Sequence, residues 1–173
     1  MRTIGIMLPA ALVAAMLFSG AALADAPRGK KYNFGEPGKA GEVTRTVEVT
    51  ADDHDGMKFV MDLGPIRQGE TIKFVVTNKG QDPHEFSVGD TASQRAHAKL
   101  MAKNPEMHHE GDPSVVVLQP GETKELVWKL SKPVQGEIVF ACQMPGHYEG
   151  GMVHKAKLEK EDEPSFTLSD GPW

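Results

Sequence analysis

From residue 43 onward, apolar and polar positions alternate in short runs. Val43, Val47 and Val49 are interleaved with Thr44, Thr46, Glu48 and Thr50, the period of two that turns one face of a half-buried strand toward a core. Ile72, Phe74 and Val76 repeat the pattern between Lys73, Val75 and Thr77. Further strands are predicted at 57–63, 84–88, 115–118, 126–130, 138–141 and 152–158. Turn residues separate them, notably Arg67-Gln68-Gly69-Glu70, Asn78-Lys79-Gly80 and Gln119-Pro120-Gly121-Glu122. The first and last of these turns are alike through shared turn chemistry, not through an internal repeat. Seven to eight short strands between Gly/Pro turns predict an all-β fold, an antiparallel β-sandwich.

One stretch breaks the alternation. Thr91 and Gln94 fit a capping box, good helix formers follow to about Lys103, and Asn104-Pro105 stops them. Residues 91–112 therefore read as a short helical insertion between two strands. The ends differ from the middle. Residues 25–42 are rich in Gly, Pro and charge and read as a flexible leader. Residues 159–173 are acidic and then polar, and read as a surface tail. The domain itself spans 43–158.

Residues 4–24 carry no charge, follow Arg2, and close on Ala22-Leu23-Ala24. That is the layout of a signal peptide over 1–24, which predicts export to the periplasm. The other reading is an uncleaved anchor, since about 20 apolar residues can span a bilayer; Pro9, Gly20 and the small-residue end argue against it. No other long apolar run exists, so no stable membrane association is expected after cleavage. The formal net charge of −5 gives no reason to expect nucleic acid as a partner. A soluble monomer is expected.

Cysteine usage changes the picture most. The chain has a single Cys, Cys142, so an exported form cannot use it for an intramolecular disulfide. A lone Cys in such a chain is a reactive thiol, an intermolecular bridge or a metal ligand. Its neighbourhood selects the last. Cys142, His147 and Met152 form Cys-x4-His-x4-Met in a loop rich in Gly and Pro. A thiolate, imidazoles and a weak thioether make up the mixed set that suits copper cycling between two oxidation states. His84 opens a strand that can lie beside the one ending at Cys142, and supplies a second imidazole. Zinc prefers four strong ligands to a thioether. A binuclear copper centre needs two thiolates, and a Cys/His nucleophile pair lacks an orienting group.

With these residues in place the chain resembles the cupredoxins, the family of plastocyanin, azurin and rusticyanin. The resemblance covers roughly 43–158, and the ligand spacing is similar to that of rusticyanin-type members. It implies a Greek-key sandwich and one type 1 copper. His84 and His147 would be the imidazole ligands, Cys142 the thiolate and Met152 the axial thioether. It also implies a one-electron carrier that is not an enzyme, working with redox partner proteins. The insertion makes the chain similar to periplasmic cupredoxins associated with copper tolerance, which implies copper-handling partners and the sequestering of excess copper instead. One departure stands out: many members follow the first His with Asn or Ser, whereas this chain has Glu85. Within the insertion, His97, Met101, Met107, His108 and His109 offer donors for an accessory Cu(I) site. The competing reading is a solvated helix with Ala96 and Leu100 turned to the core. His54 and His154 read as surface or strand residues.

Overall fold

The computed structural model describes residues 31–105 and 111–160. Alternating residues do build strands: β2 (Arg45–Asp52), β3 (Lys58–Val60), β5 (Thr71–Asn78), β6 (His84–Asp90), β7 (Val115–Leu118), β8 (Thr123–Lys129), β9 (Glu137–Ala141) and β10 (Val153–Glu159). Two more, β1 (Glu36–Pro37) and β4 (Ile66–Arg67), have two residues each, too short to carry a period. Among the described residues one α-helix, α1 (Thr91–Lys103), follows β6 directly, and a single 3-10 turn spans Ala40–Glu42. The sheets run β1-β8-β5-β2-β3 and β4-β10-β9-β6-β7, the two layers of a β-sandwich.

Most neighbours are antiparallel, but β2 and β5 pair in parallel, as do β4 and β10. After β2 the chain doubles back as β3, crosses to the other sheet as β4, and returns beside β2 as β5. A long connection of this kind is what parallel neighbours require. The inward residues of both sheets make one core. Val47, Val49, Ile72, Phe74, Val76, Leu126 and Trp128 meet Phe86, Val88, Ile138 and Phe140. Phe74 bridges the layers, its ring centroid 5.3 Å from Phe86 and 5.2 Å from Phe140. Burying each such side chain stabilises the fold by about 1.5–3 kcal/mol.

The two look-alike turns share a mechanism. Gly69 and Gly121 adopt φ of 90° and 81°, as the third residue of a type II turn must. Glu70 and Glu122 then fold back to accept the backbone N–H of Arg67 and Gln119.

Two sequence readings need correction. The flexible leader predicted for 25–42 is part of the sandwich from its described beginning at residue 31. Tyr32 and Phe34 are buried in the core, and β1 pairs with β8. Phe34 stacks on Trp128 at 5.2 Å, and the Trp128 Nε1–H donates to the Phe34 carbonyl. Composition hid this, because Gly and Pro surround two isolated aromatic residues.

The helix differs in its cap and its buried face. Asp90, not Thr91, is the N-cap, forming a reciprocal capping box with Ser93. Gln94 is thereby released to the interior, where it is buried with Met101, while Leu100 is 49% exposed. Ala96 is exposed as well. The reason lies beneath the helix. Glu85, Ser87 and Gly89 alternate with the core residues of β6, and α1 covers that outer face. Ser87 bonds the Gln94 side chain, and a Cβ on Gly89 would stand 2.6 Å from Ser93 Oγ. The floor is polar, so an amide and an imidazole face it in place of Leu100. The segment 1–24 read as a signal peptide, and the predicted tail from residue 161 onward, lie outside the described residues.

Candidate metal centre

The site lies at the end of the sandwich where β2, β6 and β9 meet the loop 142–152. His84 begins β6 on its core-facing side, in step with Phe86 and Val88. Cys142 follows β9 in step with Ile138 and Phe140, so its sulfur also points inward. Both are buried at 0% exposure. The loop between β9 and β10 is fixed by its own main chain. The N–H of Cys142 donates to the Met152 carbonyl, that of Met152 to His147, and that of His147 to Met144. Residues ten apart thus sit side by side, and β10 leaves in register with β9, Val153 opposite Ala141.

The ligand atoms of His84, Cys142 and His147 lie within 4.8 Å of one another. His84 Nδ1 is 3.2 Å from His147 Nδ1, and Cys142 Sγ is 3.4 Å from the same His147 atom. Met152 is fully buried and packs with Cys142 and Ala51, and Met57, Phe59 and Met144 pack around them. A thiol, two imidazoles aimed by the same ring nitrogen, and a neighbouring thioether fit copper in chemistry as well as in number.

Surrounding groups hold these side chains in place. The Glu85 backbone N–H donates to Cys142 Sγ at 3.3 Å. Asp53 Oδ2 lies 3.1 Å from His84 Nε2, the carboxylate–histidine pairing that orients ligating imidazoles. Asp53 also accepts the backbone N–H groups of Gln81 and Asp82. Those N–H groups, and then His84, hold its carboxyl below the ordinary range. Gly80 lets the two side chains meet: a Cβ there would stand 2.4 Å from Asp53 Oδ2 and 2.8 Å from His84 Nε2. Buried Asn78 shapes the same loop, accepting from Gly80 N–H and donating to the Asp82 and Leu118 carbonyls. Sequence reading passed over Asp53 and Asn78. Asn78 showed only a turn signal, and nothing in the sequence links Asp53 to His84.

Without a metal, burial pushes the Cys142 thiol up to about 12, against the opposing pull of the Glu85 and Met144 N–H groups. Burial, and then His84, lowers His147. A cation held at this point would favour the thiolate, and its binding would release the thiol proton.

The insertion residues sit apart from this cluster. His97 Nε2 is 3.2 Å from Glu85 Oε2, and Met101 is 2% exposed under the helix. Met107, His108 and His109 lie outside the described residues. His54 is exposed and bonds Asp52 at 2.8 Å, and His154 lies on β10.

Comparison with known proteins agrees with this chemistry. Residues 45–159 match the sequence model of the copper binding proteins of the plastocyanin/azurin family. A protein of Rubrivivax gelatinosus named copper-resistant cuproprotein CopI is 40% identical over 162 residues, spanning 87% of this chain and 95% of that one. Its namesake in Pseudomonas aeruginosa is 32% identical over 182 residues, spanning 88% and 97%. Among solved structures, auracyanin B superposes with a TM-score of 0.54 at 18% identity, covering 74% of this chain and 96% of that chain. Reduced auracyanin from Roseiflexus castenholzii gives 0.51 at 21% identity, covering 68% and 98%. These two share the fold. The chain is a copper-binding protein and belongs to the plastocyanin/azurin family.

Proposed function

We propose that this protein is exported to the periplasm and holds one copper ion through His84, Cys142, His147 and Met152, in the service of copper tolerance. The observation that carries the site is the convergence of buried His84 and Cys142 with half-buried His147, through His84 Nδ1, Cys142 Sγ and His147 Nδ1. Copper bound there would supply one-electron exchange between Cu(I) and Cu(II). The chain's own contribution is rigidity. Asp53 orients His84, the Glu85 N–H steadies the Cys142 sulfur, and the main-chain bonds of the loop fix His147 and Met152. The likeness to proteins named copper-resistant cuproproteins, over nearly their whole length, supports tolerance as the use.

A second reading is a diffusible electron carrier without enzymatic activity of its own. It is favoured by the partial exposure of His147, which gives a redox partner an approach to the ligand. Both readings use the same site and differ in phenotype. Metal analysis with visible and EPR spectra tests the site: one copper per chain and an intense thiolate charge-transfer band are expected, and a colourless protein would sink the assignment. A strain lacking the protein should lose growth at elevated copper and regain it with the wild-type chain but not with Cys142→Ser. Normal growth in copper together with impaired respiration would favour the carrier.

A further inference from the structure

A fully buried carboxylate lies one residue from His84. Glu85 is 0% exposed, although it stands on the face of β6 that points away from the hydrophobic core. Its backbone N–H donates to Cys142 Sγ at 3.3 Å. Its Oε1 accepts the backbone N–H of Gln143 at 3.4 Å, and its Oε2 lies 3.2 Å from His97 Nε2 on α1. One residue thus touches both ligand-bearing segments and the helix above them. The network continues outward: Gln143 Nε2 donates to Gln94 Oε1 at 2.9 Å, and Gln94 Nε2 to the Val139 carbonyl at 3.2 Å.

A carboxylate is costly to bury unless it is paired. The helix provides the pairing, because His97 sits one turn beyond Gln94 on the same buried face. A charge in a poorly screened interior acts strongly on its neighbours, and a negative one favours the more positive state of a nearby cation. We infer that Glu85 and His97 form a charge-setting latch, through which the helical insertion biases the copper site toward Cu(II) and locks the two ligand-bearing segments together. This rests on the ligand set proposed above. The insertion then acts on the buried copper through Glu85, and His97 is a positioning residue.

The test compares Glu85→Gln, His97→Leu, His97→Gln and the Glu85→Gln/His97→Leu double variant by voltammetry of the copper form and by urea unfolding of the metal-free form. Glu85→Gln keeps the shape and removes the charge. It should retain the coloured band and raise the midpoint potential by about 59 mV or more, a tenfold change in the Cu(I):Cu(II) affinity ratio. His97→Leu should lower the potential and destabilise the metal-free protein. His97→Gln, which keeps an N–H, should stay close to wild type. In the double variant His97→Leu should have little effect on either readout, because the carboxylate that position 97 holds in place is gone. A retained band with an unmoved potential in Glu85→Gln, or strictly additive effects in the double variant, would overturn the latch and leave the ligand set standing. Absence of the band in the wild-type protein would instead remove the ligand set itself. Should Glu85→Gln fail to fold, equal potentials for His97→Leu and His97→Gln would be the overturning result.

Discussion

Where β2 and β5 begin, the sandwich is closed by aromatic rings; where they end, it is closed by sulfur, imidazole and buried polar groups. At the first end Tyr32, Phe34 and Trp128 meet at centroid distances of 4.9–5.3 Å. At the second, Ala51, Cys142 and Met152 form a small cluster of their own, surrounded by Asn78, His84 and Glu85 at 0% exposure. The aromatic end gains stability from area removed from water. The metal end gives some of that up, burying groups whose value lies in where they point. Stability and copper chemistry are therefore expected to respond to different substitutions.

Cys142→Ser should have the largest effect on the metal end, abolishing the charge-transfer band altogether. The metal-free protein should lose only about 1–3 kcal/mol, the cost of burying a hydroxyl in place of a thiol, and stay folded. A surviving band of the same intensity would remove Cys142 from the ligand set. Trp128→Ala is the counterpart at the other end. It should cost about 3–5 kcal/mol in urea unfolding, while the folded fraction keeps an unaltered copper spectrum. A changed spectrum would show that the two ends are coupled through the core.

Gly80→Ala sharpens the comparison, because it adds one methyl group where Asp53 meets His84. It should cost about 1–3 kcal/mol and weaken copper binding together, as read by chelator competition. An effect on stability alone would mean that Asp53 does not orient the ligand. Met152→Leu should keep copper bound and raise the potential, since only the weak axial donor is lost. An unmoved potential would point to Met144 instead.

The smallest effect concerns acid. The Asp53 carboxyl is held below its ordinary value of about 3.9. The stability it contributes is fully present above that value and is lost as pH falls through the lowered one. Asp53→Asn should therefore show its deficit at pH 7 and converge on wild type at lower pH. Urea midpoints of the metal-free proteins at the two pH values measure this, and a constant deficit would show that the charge has no part in it.

What the sequence determined by itself was local. Alternation and short apolar runs between turns placed eight strands, and Cys-x4-His-x4-Met offered three candidate donors in a loop that main-chain bonds among Cys142, His147 and Met152 close. His84 was legible as the opening residue of a strand able to reach Cys142. Tertiary structure decided the rest. Asp53 reaches His84 across 31 residues, Phe34 closes on Trp128 across 94, and Glu85 finds His97 only because α1 folds back over the strand it follows. The capping box slipped by one residue, and the helix turned Gln94 and His97 inward, because the face it covers is polar. Contacts of this kind leave no periodicity or spacing in the chain. They arise when two elements, each predictable alone, are pressed together and every buried polar group must find a partner.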